Sequence, residues 1–193
     1  MRAICVFCGS NPGVQPIYGQ VAAELGAALG RRGITTVYGG ARVGLMGRVA
    51  DGALAAGGRV IGVLPRFLAG KELAHAGLSE LLLVESMHER KALMADRADA
   101  FIALPGGFGT LEELFEIVTW SQLRLHRKPC GVLNIEGFYD PLCAQIDYAV
   151  RDGFLTPAHR ELLVVDSEVE ALLDRLARHE VAPGRKWTEL EKT

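Results

Sequence analysis

The chain has 193 residues, 49% of them apolar and 23% charged, with 21 Lys+Arg against 23 Asp+Glu and a formal net charge of −2. That length suits a single core able to fold without disulfide or metal staples, and the near balance of charge disfavours a nucleic-acid partner. No apolar run approaches 18 residues, so a membrane-spanning helix is excluded. The start, Met1-Arg2-Ala3-Ile4-Cys5-Val6-Phe7-Cys8, lacks the long apolar stretch of a secretory leader, and four cysteines are too few for a disulfide scaffold. A reduced, cytoplasmic setting is expected.

In chain order, Ala3–Cys8 reads as a strand, Ile17–Arg31 as a helix, Thr35–Tyr38 as a strand and Val43–Ala56 as a helix. Strands Val60–Leu64 and Leu81–Val84 precede a helix at Met87–Arg97. Strand Ala100–Leu104, helix Leu111–Leu125, strand Gly131–Asn134 and helix Pro141–Arg151 follow, then strand Leu162–Val165 and helix Glu168–Arg178. The strand segments are continuous apolar runs, the mark of strands covered on both faces. Strand alternating with helix implies right-handed βαβ units, hence an α/β fold with a mostly parallel sheet and helices on both faces. Residues 1–178 are read as one domain and 179–193 as a C-terminal tail of low order.

Ligands of such sheets bind beyond the carboxyl ends of the strands. The segments there are Gly9-Ser10-Asn11-Pro12-Gly13, Gly39-Gly40-Ala41-Arg42-Val43-Gly44, Pro65-Arg66 and Pro105-Gly106-Gly107-Phe108-Gly109-Thr110. Three of the four are glycine-rich. In the last, a buried strand, three glycines and a helix start come in succession, which seats a phosphate on the helix's first amides. Thr110 three residues before Glu113 also spells a capping box, which explains those two residues but not the glycines. The dinucleotide fingerprint fails, because Glu112 stands where its third glycine belongs. A P-loop fails too, because the only Gly-Lys pair, Gly70-Lys71, is followed by Glu72.

In Glu85-Ser86-Met87-His88-Glu89-Arg90-Lys91, Ser86 and Glu89 form a second capping box, and Arg90 falls on an inward stripe with Met87 and Met94. A guanidinium there needs an anion: a bound ligand, or a structural partner such as Asp96 or Asp99. Cys5-Val6-Phe7-Cys8 lies inside a strand rather than at a helix start, and no second pair accompanies it, so core cysteines are expected. The five histidines, at positions 75, 88, 126, 159 and 179, show no ligand spacing, and neither metal nor cofactor is expected. The Leu111–Leu125 helix is apolar on two sides, with Ile117, Trp120 and Leu123 on the second. A twin subunit would cover that side, as would an additional covering element.

Pro105-Gly106-Gly107-Phe108-Gly109-Thr110-Leu111-Glu112-Glu113 resembles the Pro-Gly-Gly-x-Gly-Thr-x-x-Glu signature of the LONELY GUY (LOG) proteins, the cytokinin riboside 5′-monophosphate phosphoribohydrolases. Met87-His88-Glu89-Arg90-Lys91 is similar to the family's second motif. Phe7-Cys8-Gly9-Ser10, Tyr38-Gly39-Gly40, Gly44-Leu45-Met46-Gly47 and Gly62-Val63-Leu64-Pro65 also fit. The resemblance spans about residues 3–165. It implies a Rossmann-like, doubly wound, nucleotide-binding homodimer that hydrolyses the N-glycosidic bond of a nucleoside 5′-monophosphate. The products would be adenine, or an N6-substituted adenine, and ribose 5-phosphate. By position, Arg90 and Glu113 match the catalytic pair, and Gly107, Gly109 and Thr110 the phosphate loop. Glu72, Lys91, Glu112 and Thr119 fall where the family contacts substrate. With the other loop residues Gly9, Ser10, Gly39, Gly40, Gly44, Met46, Gly106 and Phe108, they complete the expected site. Glu113 would stabilise charge on the ribose and activate water, with Glu112 the alternative carboxylate. Some relatives carry the label lysine decarboxylase, but no lysine here has the context of a pyridoxal phosphate Schiff base. The rival is a non-catalytic carrier of a nucleotide or of molybdenum cofactor on the same fold.

Overall fold

In a computed structural model, which describes residues 1–69 and 74–179, seven strands form one sheet: β1 (Ala3–Phe7), β2 (Thr35–Tyr38), β3 (Val60–Pro65), β4 (Glu80–Val84), β5 (Ala100–Ala103), β6 (Cys130–Leu133) and β7 (Leu163–Asp166). Their order is β4-β3-β2-β1-β5-β6-β7, and every neighbouring pair is parallel. The helices are α1 (Pro16–Arg31), α2 (Gly44–Ala55), α3 (Arg66–Ala69), α4 (Met87–Asp96), α5 (Phe108–Gln122), α6 (Asp140–Arg151), α7 (Pro157–Arg160) and α8 (Val169–Arg178). Each predicted strand and helix is present. The additions are α3, α7 and a 3₁₀ turn at Ile135–Gly137, all too short to carry a helical period. From residue 180 onward, the expected tail lies outside the described residues. Among the described residues no helix is long and apolar enough to cross a membrane.

The connections explain the two helical layers. From β1 to β3 the chain steps one way across the sheet, and from β5 to β7 it steps the other way. Right-handed crossovers then put α1 and α2 on one face and α5 and α6 on the opposite one. Alternate residues of the central strands divide accordingly. Ile4, Val6, Ala100 and Ile102 pack with Leu25 and Leu29 of α1, Val49 of α2 and Leu172 of α8. Cys5, Phe7, Phe101 and Ala103 pack with Met94 of α4 and with Leu114 and Ile117 of α5. The two-residue period also separates Cys5 and Cys8 into these opposite layers. Both thiols are buried and free, and burial holds each in its protonated form. They are core residues, as expected from sequence.

Helices α1 and α2 touch backbone to backbone. A Cβ built on Gly26 would lie 2.1 Å from the Val49 carbonyl oxygen, and one on Gly52 would lie 2.2 Å from that of Ala23. On propensity alone Gly26→Ala would gain up to about 1 kcal/mol. Here overpacking outweighs that gain and pushes α2 off α1. The expected outcome is a net loss of about 1–3 kcal/mol, measurable as a lower midpoint in urea with unchanged slope.

Candidate active site

The strand order reverses between β1 and β5, and there the chain leaves both strands in opposite directions. The loops after them are pinned together: the Gly9 N–H donates to the Pro105 carbonyl at 3.0 Å, and the Leu45 N–H donates to the Gly9 carbonyl at 3.0 Å. The buried Tyr139 hydroxyl donates to the Leu104 carbonyl at 2.6 Å and fixes the exit from β5. Three glycine-rich loops thus converge on one cavity of about 680 Å³.

Most of the expected residues line it. Gly9, Ser10, Gly39 and Met46 come from the β1 and β2 ends; Gly106, Gly107, Phe108, Gly109 and Thr110 come from the β5 end. Arg90, Glu112 and Glu113 complete this group. Gly40 and Gly44 serve the backbone beside the cavity. Both have positive φ, and a Cβ on Gly44 would lie 2.3 Å from the Ser10 carbonyl carbon. Lys91 and Thr119 are not among the lining residues, and Glu72 lies outside the described residues. Tyr18 and Phe138, which the sequence reading missed, also line the cavity. Their rings meet edge to face at 6.1 Å. Neither carries a local signal, because α1 and the turn after β6 bring them together only in three dimensions.

The Thr110–Glu113 capping box does not form. Helix α5 begins at Phe108, three residues earlier than expected, with Gly107 as its N-cap and no side chain capping it. Thr110 is buried against Gly106, where a Cβ would lie 2.1 Å from Thr110 Oγ1. The first-turn amides, which have no acceptor within the helix, are left at the cavity wall together with the positive end of the helix dipole. Among the described residues, an added Cβ on Gly107 or Gly109 would meet nothing within 4 Å beyond its own local backbone, and neither has a positive φ. Packing therefore does not require glycine at either position, whereas close approach of a ligand to the backbone would. By contrast, Ser86 caps α4: its Oγ accepts from the Glu89 N–H at 3.1 Å. Glu89 reaches back one residue further than in a capping box, accepting from the Glu85 N–H at 2.8 Å.

Arg90 pairs with Glu113, not with Asp96 or Asp99. Its Nη1 donates to Glu113 Oε1 at 3.0 Å and its Nε to the Val63 carbonyl at 3.2 Å. Asp99 instead accepts from the backbone amides of Arg2 and Ala3. The Arg90 and Glu113 side chains are only 12% and 10% exposed, so each charge depends on the other. Gly39 makes room for the guanidinium: a Cβ there would lie 2.1 Å from Arg90 Nη2. Burial pushes the Glu113 carboxyl above its ordinary value; Arg90 pulls it down, and the neighbouring Glu112 charge pushes it further up. A cation, a carboxylate and an uncapped helix start therefore share one cavity, which suits a phosphorylated substrate that develops positive charge as it reacts.

A family model described as "possible lysine decarboxylase" matches residues 46–176. The chain is 52% identical over 173 residues to a cytokinin riboside 5′-monophosphate phosphoribohydrolase of Rhodococcoides fascians, with 89% of this chain and 87% of that protein covered. It is 46% identical over 195 residues to the enzyme of that name, LOG1, of Arabidopsis thaliana, with coverages of 99% and 92%. Among solved structures it resembles the molybdenum cofactor binding protein of Rippkaea orientalis, at a TM-score of 0.70, 22% identity and coverages of 91% and 95%. It also resembles a molybdenum cofactor carrier protein of Chlamydomonas reinhardtii, at 0.68, 22% identity and coverages of 91% and 97%. These two structures share the fold.

The raised Glu113 carboxyl sets a direction for stability. Folding favours its protonated form, so its contribution is fully present below the ordinary carboxylate value and is lost as pH rises through the folded-state value. Glu113→Gln does not titrate there. The difference in Tm, variant minus wild type, is expected to become more positive between about pH 4 and pH 7, as thermal unfolding across that range would show.

Proposed function

The chain belongs to the cytokinin riboside 5′-monophosphate phosphoribohydrolase family, and on that premise we propose that its Arg90–Glu113 cavity hydrolyses the N-glycosidic bond of adenosine 5′-monophosphates, N6-substituted ones included. The observation that carries this reading is the buried Arg90–Glu113 pair lying beside the uncapped start of α5. The 5′-phosphate is held by the amides from Gly107 to Thr110, and this places the ribose over the pair. As the bond between C1′ and the base nitrogen breaks, the sugar gains positive charge and the base takes the bonding electrons. Glu113, ionised, stabilises that charge and accepts a proton from the attacking water, and this proton passes on to the leaving base, which returns Glu113 to its ionised form. Water supplies the hydroxyl, so the products are ribose 5-phosphate and the free base. Arg90 aligns Glu113 and favours its ionised form against the opposing effect of burial, and its other N–H groups are directed to the substrate. The molybdenum cofactor proteins, at 22% identity, support the fold but not a carrier role.

The working unit in this proposal is a homodimer. Phe108 and Phe115 of α5 and Leu123 at its C-cap, at helical spacing, are 95%, 45% and 46% exposed. They form an outer stripe that shares Leu123 with the expected one but replaces its other members, since Ile117 is buried and Trp120 half-buried. Thr119 lies on the same outer stripe, about 16 Å along the helix from its start. In a two-fold dimer built on this stripe, Thr119 is at the interface and would meet a substrate held in the partner's cavity. Phe115→Glu with Leu123→Glu is expected to give a monomer in sedimentation analysis, against a wild-type dimer.

Base release from AMP and isopentenyl-AMP, followed by chromatography, tests the chemistry. Arg90→Ala and Glu113→Gln are each expected to lower kcat by roughly 10²–10⁴-fold. Each is also expected to lower Tm, because it leaves one member of the buried pair alone, so kcat is read at a temperature where circular dichroism shows the variant folded. Gly109→Ala is expected to fold normally, since among the described residues its Cβ would meet nothing beyond its own local backbone, and to raise KM. Wild-type binding of both nucleotides without base release would favour the carrier.

A further inference from the structure

Lys91 follows Arg90 on α4 and does not itself line the cavity, but its ammonium holds Glu112, which does. It donates to Glu112 Oε1 at 2.5 Å and to Glu116 Oε1 at 3.0 Å, and its side chain is only 12% exposed. Glu112 and Glu116 are one helical turn apart on α5, and like charges at that spacing repel unless a cation lies between them. The first turn of α4 has no hydrophobic anchor: Met87, His88 and Glu89 are exposed, and the buried apolar contacts of this helix, Met94 and Ala95, are at its far end. Side-chain bridges therefore decide where Arg90 stands. Two run in parallel to α5, Arg90 to Glu113 and Lys91 to Glu112 and Glu116.

We infer that Lys91 is a positioning residue, which locks the exposed start of α4 onto α5 so that Arg90 meets Glu113 and which offsets the Glu112 charge beside Glu113. This rests on the function proposed above for the same cavity. Among the described residues, the charged and titratable groups facing Glu113 are Arg90 and Lys91 from α4, Glu112 from its own helix, and the Cys5 and Cys8 thiols of the β1 segment, held protonated by burial. Of these, Glu112 and Lys91 act on Glu113 in opposite directions. Loss of the Lys91 charge leaves Glu112 unopposed and makes Glu113 harder to ionise.

The experiment compares wild type, Lys91→Met, Lys91→Arg, Glu112→Gln and the Lys91→Met/Glu112→Gln double variant, with kcat and KM for AMP taken across pH and folding checked by circular dichroism. Lys91→Met is expected to lower kcat by roughly 10–100-fold with little change in KM, and to move the acid limb of the pH profile to higher pH. Lys91→Arg restores part of kcat, and the double variant returns the acid limb towards wild type. Glu112→Gln alone moves that limb to lower pH, which keeps the inference testable if Lys91→Met does not fold. A rise in KM of tenfold or more at unchanged kcat would mean that Lys91 touches the substrate, and would overturn the inference, as would an unmoved acid limb. If wild type releases no base, the proposed function fails. The inference is then read from the Glu113 titration, followed by carboxyl ¹³C NMR in the same proteins: an upward shift in Lys91→Met that the double variant reverses supports it, and no shift overturns it.

Discussion

The buried pairing of Arg90 with Glu113 is the constraint around which this site is arranged. Neither charge is tolerable in the interior alone, since removing two ions from water is repaid only when their geometry is good and their remaining hydrogen-bonding groups are occupied. The guanidinium meets that condition by bonding a carboxylate on α5 and the carbonyl of Val63 on β3. Three elements are tied to one side chain, and Gly39, at the end of β2, must remain without a Cβ to admit it. Helix α4, poorly anchored by apolar contacts at its start, gains its position from charge.

The sheet supplies the setting. Because strand order reverses between β1 and β5, the chain leaves the two strands in opposite directions, and the cavity lies beyond their ends, where the two loops are pinned to each other. The Gly9–Pro105 and Leu45–Gly9 hydrogen bonds make its floor rigid, and Tyr139 fixes the exit from β5 from beneath. The glycines around the crevice do different work. Gly44 and Gly106 are required by the protein's own packing, whereas Gly107 and Gly109 leave backbone amides unobstructed. A ligand that approaches a helix start closely needs the second kind, held in place by the first.

Helix α5 divides its surface among separate tasks. Its uncapped start faces the cavity, Glu113 turns to Arg90, Leu114 and Ile117 fill the core, and Phe115 and Leu123 point outward. With side chains separated by about 100° per residue, adjacent Glu112 and Glu113 cannot share a partner, and α4 answers with two adjacent cations. Lys91 takes the exposed carboxylate and Arg90 the buried one.

The sequence by itself determined the element order, the α/β class with helices on both faces and the family, because continuous apolar runs, helical periods and glycine clusters are local patterns that tertiary packing amplifies. It overstated the cover of the edge strand β4, where Leu81 and Leu83 are exposed. It also placed both cysteines of the Cys5–Cys8 pair in the core, since the two-residue period of a strand fixes their faces. Tertiary structure alone decided which anion Arg90 meets: from the sequence it was a bound ligand, Asp96 or Asp99, whereas the packing of α4 beside α5 supplies Glu113. It turned the Thr110–Glu113 pattern from a helix cap into a buried threonine and a paired carboxylate, by starting the helix at Phe108. It brought Tyr18 to Phe138 across more than a hundred residues, and it turned Lys91 of α4 onto Glu112 and Glu116 of α5. In each case the residue's chemistry could be read from one position, whereas its partner was chosen by distance in space, which no single segment of chain encodes.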